Sequence, residues 1–267
     1  MSISTRSRGL FAKTIAVCSL SVLSTQAYSQ NGFEFGIRYL VTKSVLFNNS
    51  DKNAGPELDQ ASTMSFLSGG LAAGYKINKH IGVEVDILYV RQGQKYTGVN
   101  MTVTNNTAYN SEVAMQAYLN DVLTTGSYKA RAELNCIKIP VLLNLATNNT
   151  KRLYYTLSAG PQINIVKTAV FEIDGEDVLL PGLNIEPNDV YRKVTIDGVL
   201  ALGAGFNLSK HFSLTAQLRF DYGFQDVEQK NATFTYMGSA ETKFYDKDRS
   251  ATHNGTAALM VGVNYKL

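Results

Sequence analysis

The chain has no tryptophan, two cysteines and three histidines in 267 residues. Each scarcity removes a class of reading. Cys18 lies in an amino-terminal stretch that reads as a removable leader, which leaves Cys136 without an intramolecular disulfide partner. Beyond that leader no apolar run approaches the ~20 residues that a membrane-spanning helix needs. A charge of one sign is lacking too. Of 25 Lys and Arg, three (Arg6, Arg8 and Lys13) belong to the leader, and none of the 22 Asp and Glu do, so the remainder is balanced. Net charge therefore gives no reason to expect nucleic acid or an anionic surface as a partner. Tyrosine (15) and phenylalanine (12) are frequent, a composition that favours strands.

The leader combines a basic start, an apolar core from Ile15 to Leu23, and small residues at Ala27 and Ser29. That is the plan of a secretory signal cleaved after Ser29. Ile15-Ala16-Val17 before Cys18 is not a lipobox. The expected organisation is a signal peptide over 1–29 and one domain over 30–267.

Period-2 alternation of apolar residues predicts eight strands, at 32–41, 65–77, 81–93, 134–146, 153–166, 195–208, 212–224 and 257–267. Three connections are short (78–80, 147–152 and 209–211). Four are long (42–64, 94–133, 167–194 and 225–256), and short and long alternate strictly. The expected fold is all-β: an eight-stranded antiparallel up-and-down transmembrane barrel with tight periplasmic turns and long extracellular loops.

Parity sorts the side chains into two faces. Ile81, Val83, Val85, Ile87 and Tyr89 share one face of the third strand, and Glu84 and Asp86 share the other. Applied to every strand, the rule puts Glu34, Arg38, Glu84, Asp86, Lys138, Asp197, Arg219 and Asp221 opposite the greasy face. In a lipid-facing barrel these charges enter the lumen. Eight strands leave an interior just wide enough for side chains, so buried charges there must pair. Arg219 and Lys138 are expected to pair with acidic residues of adjacent strands. Greasy-face aromatics gather near strand ends: Tyr75, Tyr155, Phe206, Phe212 and Tyr265 on the short-turn side, and Tyr39, Tyr89 and Phe220 on the other. Two such girdles mark a lipid-facing surface. "GYKINKHIGVEVDILY" (74–89) and "GFNLSKHFSLTAQLRF" (205–220) echo each other and read as two hairpins with one turn solution.

Three segments carry a family resemblance: "LNCIKIPVLLNLA" (134–146), "SAGPQINIV" (158–166) and "VEVDILYVRQG" (83–93). They resemble strands of the PorT-like outer-membrane β-barrel family of Bacteroidetes-type Gram-negative bacteria, with Cys136 where that family usually has tyrosine. The resemblance implies a barrel in the outer membrane. It implies no single activity, although some members are linked to secretion and gliding machinery.

No catalytic, metal or cofactor constellation emerges. His80 and His211 follow lysine in short turns, and His253 falls in the last long connection. Cys136 has lumen parity and no histidine near it. Strand glycines (Gly69, Gly70, Gly74, Gly198, Gly203 and Gly205) suit tight curvature or close side-chain packing. The acidic stretch 175–189 lacks the regular spacing of a calcium loop. Residues 111–123 have the periodicity of a short helix. The chain ends on "AALMVGVNYKL" (257–267), which must pair with "GFEFGIRYLV" (32–41) if the barrel is to have no free edge. Gly262, Tyr265 and Leu267 there resemble the signal read by barrel-insertion machinery. The expected function is non-enzymatic: a structural or surface-interaction barrel, linked in its family to secretion. Its partners are outer-membrane lipid, the insertion machinery, and a protein met from outside or from the periplasm. The alternatives are a narrow pore, a lipid-modifying barrel enzyme and a soluble periplasmic barrel.

Overall fold

The structure, a computed structural model, describes residues 32–52, 58–101, 124–173, 176–177, 191–229, 233–234, 242–243 and 250–267. The leader and the stretch 111–123 lie outside them, as does 175–189 apart from Glu176–Asp177, which pairs with the end of a long strand. Among the described residues no helix is long and apolar enough to cross a membrane.

Eight long strands form the wall: β1 (Gly32–Phe47), β2 (Leu58–Lys76), β3 (Ile81–Met101), β4 (Thr124–Ala146), β5 (Leu153–Ile173), β6 (Val194–Asn207), β7 (Phe212–Gly223) and β8 (His253–Lys266). Each pairs antiparallel with its sequence neighbour, and β1 pairs with β8 from Glu34↔Lys266 to Phe47↔His253. The sheet is thus closed, with no edge exposed to lipid.

The faces are inverted relative to a water-soluble core. Ile37 is 67% exposed and Arg38 beside it 3%; Leu218 is 55% exposed and Arg219 1%. The side chains facing outward are the apolar ones, as lipid contact requires. A bulge in β2, where Leu40 and Thr42 oppose Ser68 and Ser65, turns both Phe66 and Leu67 outward.

The strands differ from expectation in length. β3 spans 21 residues and β4 spans 23, about twice the ~9–11 needed to cross a bilayer. Their register continues to Met101↔Thr124. The expected boundaries stopped where the apolar row stopped. Beyond that point the wall continues with polar alternation, because strand pairing needs backbone partners and not lipid.

The two echoing turns are built alike. Asn78 Oδ1 accepts the N–H groups of His80 (2.7 Å) and Ile81 (2.8 Å), and Ser209 Oγ accepts those of His211 (3.2 Å) and Phe212 (3.0 Å). Each histidine then reaches the end of the next strand. The His80 carbonyl accepts Ala146 N–H and the His211 carbonyl accepts Lys266 N–H, both at 2.7 Å. Each ring Nδ1 lies 3.1 Å from that same residue's carbonyl.

The face assignment has a direct test. Leu218→Arg, in the middle of the lipid-facing row, should lower folding free energy into bilayers by ~2–4 kcal/mol, whereas Ile81→Arg at the periplasmic rim should cost about 0–1 kcal/mol. Urea titration of the refolded variants measures both; equal costs would mean that the outward row does not cross the membrane.

Candidate functional site: a filled lumen

Strand parity brings the charged residues of five strands into one interior, where they meet across the barrel. Lys138 of β4 donates to Asp221 Oδ2 of β7 at 2.9 Å and to Thr256 of β8 at 3.3 Å. Arg219 of β7 donates through Nε to Asp221 Oδ1 at 2.8 Å and through Nη2 to Gln162 of β5. Its Nη1 faces Asp86 of β3 at 3.8 Å. Gln162 donates onward to Asp197 of β6 at 3.0 Å, and Asn254 of β8 donates to the same carboxylate at 3.2 Å. Lys138, Asp86, Asp197, Arg219 and Asp221 are all buried. The partners of Lys138 and Arg219 correct the expectation of adjacent-strand pairing. Their long side chains span the lumen, and Arg219 also folds back on the carboxylate two residues along its own strand.

A second group lies nearer the periplasm. Arg38 pairs with Glu84 at 3.1 Å and donates to Asn264 at 2.5 Å, while Asn144 donates to Glu84 at 3.3 Å. Glycine makes this possible. A Cβ on Gly262 would sit 2.6 Å from Arg38 Nη1, and one on Gly36 would collide with the same guanidinium. The guanidinium therefore lies flat between two residues without side chains. Gly205 gives Tyr154 similar room. Glu34 stands apart from both groups and pairs with Lys76 at 2.6 Å near the periplasmic mouth.

One side of the lumen is apolar, which the charge-based reading missed. Leu40, Leu88, Val90, Ala258 and Met260 form a buried cluster. The signal was present in "ILYV" (87–90) and "ALM" (258–260), where apolar residues fall on both parities. Cys136 is also buried. Toward the extracellular side Tyr191 and Val227 are buried, Arg192 N–H donates to the Val227 carbonyl, and Val227 N–H donates to that of Thr252. Among the described residues no group of three His, Cys, Asp or Glu is placed to hold a metal ion. His253 opens β8 rather than lying in a loop; its Nδ1 is 3.0 Å from the Gly223 carbonyl and its ring stacks on Tyr222.

A closed antiparallel wall of eight strands, apolar outside and charged inside, is the architecture of an outer-membrane barrel, and the sequence profile of the outer membrane protein β-barrel domain matches residues 22–229. The chain belongs to this family. Family membership places it in the outer membrane. Solved outer-membrane proteins are similar to the chain at low identity. OprG of Pseudomonas aeruginosa is 11% identical over 89% of this chain and 97% of its own, with a TM-score of 0.45. Neisserial surface protein A is 14% identical over 90% and 100%, at 0.41. The Escherichia coli outer membrane protease OmpT is 10% identical over 91% and 100%, at 0.41. No curated protein matches the chain by sequence.

Arg219 contacts two carboxylates and an amide, so Arg219→Ala leaves buried charge without its counterpart. Unfolding free energy in urea should fall by ~3–5 kcal/mol. An unchanged midpoint would mean that water already solvates this part of the lumen.

Proposed function

We propose that the protein works through its outward and extracellular surfaces, as a non-enzymatic structural or surface-interaction barrel, and not by passing solutes through its lumen. The observation that carries this reading is the crossing of the lumen by Arg219 and Lys138, which join β3, β4, β5, β7 and β8 through Asp86, Asp221, Gln162 and Thr256. A conducting path would have to break these pairs and expose their charges one by one. His253 supports the non-enzymatic side: its ring is engaged by the Gly223 carbonyl and Tyr222, as a structural residue is. The segments at 83–93, 134–146 and 158–166 favour a PorT-like branch of the family, and with it a partner in secretion or gliding. Delivery is by a leader cleaved after Ser29. Reconstituted in planar bilayers, the protein should give no unitary conductance; discrete openings of the wild-type protein would restore the pore.

We also propose that Tyr265 and Leu267 are read by the insertion machinery, whereas Gly262 serves the lumen. Tyr265 is outward and packs edge-on against Phe212 at 5.2 Å, and Leu267 is exposed, so both are accessible to a receptor. Gly262 is buried beneath Arg38. Gly262→Ala should destabilise the barrel refolded in detergent by ~1–3 kcal/mol through overpacking. Tyr265→Ala should refold normally in detergent yet lose heat-modifiable protein in membranes of cells. Reversal of these two outcomes would exchange the roles.

A further inference from the structure

The outward row of β3 runs Ile81, Val83, Val85, Ile87, Tyr89, close to the ~9–11 residues that carry a tilted strand across a bilayer. Its end is marked by a polar bridge over three strands. Tyr89 donates to Asn135 of β4 at 2.9 Å, and Asn135 donates to Thr168 of β5 at 2.9 Å. Immediately above, on the same outward face, stand Arg91 and Lys95 of β3 and Arg131 of β4, with Lys95 directly opposite Arg131. A bulge in β5, between Val166 and Thr168, leaves Lys167 exposed at the level of Asn135, the register partner of Arg91. Carboxylates stand among these cations: Asp59 of β2 opposes Thr97, Glu172 of β5 opposes Arg131, and Glu133 lies at the centre. Glu133 is shared by Arg91, at 3.6 Å, and Arg131. At the corresponding height β1 carries Lys43, but its register partner on β8 is Ala257, and β7 presents Phe220 and Tyr222. The exposed cations thus gather on the β3–β4–β5 side and extend to Lys193 just before β6, whose carbonyl accepts Val166 N–H.

Its position selects the ligand. These cations extend the row of side chains that contact lipid, at the level where acyl chains give way to headgroups. The two guanidiniums share the Glu133 carboxylate, with Lys95 further along β3 and Lys167 on β5 at the level of Asn135. Arginine engages phosphate through two parallel N–H bonds, and lysine adds point charge. We propose that this face holds the phosphate of an outer-leaflet glycolipid, with Arg91 and Arg131 gripping the phosphate oxygens and Lys95 and Lys167 completing the charge. The site goes beyond the surface-interaction reading and stands whether or not the extracellular loops engage a protein.

The test uses the full mature chain in phosphatidylcholine bilayers containing a trace of diphosphorylated lipid A, its dephosphorylated form, or neither with soluble polyphosphate added. Native mass spectrometry reads lipid retention. Wild type should retain the phosphorylated lipid selectively. Lys95→Gln/Lys167→Gln spares the pairs to Glu133 and should lower that retention about 25-fold, each lysine near an anionic headgroup being worth roughly a factor of five. Heat-modifiability should stay unchanged. Lys79→Gln/Lys210→Gln, the same charge loss at the periplasmic turns, should leave retention intact. Equal retention of the dephosphorylated lipid, or an equal loss in the periplasmic variant, overturns the proposal. Tighter retention of polyphosphate than of lipid overturns it too, and reassigns the face to soluble polyanions.

Discussion

In the hydrocarbon interior of a bilayer an unpaired backbone N–H or C=O costs several kcal/mol, because no water is there to replace the missing partner. The β1–β8 register, from Glu34↔Lys266 to Phe47↔His253, spares this chain that cost. Once the ends of the sheet are joined, every outward side chain at membrane depth faces lipid and every inward one faces seven other strands. The alternation of Ile37 with Arg38, or of Leu218 with Arg219, follows from that closure and from nothing local to either residue.

Closure also decides what the interior has to be. An eight-stranded ring is too narrow for a water column and too wide to fill with small residues. Here long side chains fill it from both walls: Arg219 and Lys138 on one side, and Leu40, Leu88 and Met260 on another. Large groups can lie flat only where the opposite surface is bare. Gly36 and Gly262 beneath Arg38, and Gly205 beneath Tyr154, are therefore as much a part of the lumen as the charges. Burying ions in this way is weak evidence for stability in itself, since desolvation offsets much of the attraction. It does bind non-neighbouring strands to one another.

Strand identity and face were legible because alternation is a local property, written in residues two apart. Partner identity was not. Lys138 and Asp221 are 83 residues apart, and their meeting depends on the register of every strand between them. Strand ends were illegible for another reason. The apolar period reports the membrane and not the sheet, so β3 and β4 appeared to stop at the lipid boundary. Balanced net charge likewise concealed the local excess formed by Arg91, Lys95, Arg131 and Lys167, which come together only when β3, β4 and β5 are laid side by side. The echo at 74–89 and 205–220, by contrast, was legible as one turn solution used twice, because a tight turn is decided by the few residues inside it; the reach of His80 and His211 to the next strand was not.

Those two turns give the barrel a mechanical polarity. His80 fastens the β2–β3 hairpin to the last residue of β4, and His211 fastens the β6–β7 hairpin to the penultimate residue of the chain. At the periplasmic rim, then, no strand of these hairpins can peel away without also tearing a side-chain rivet and a backbone bond on its neighbour. Toward the opposite ends of β3 and β4 the described cross-strand links besides the ladder are side chain to side chain, Tyr89 to Asn135 and Arg91 to Glu133. A force on the periplasmic rim thus meets hairpins coupled to a third strand, and not single strands.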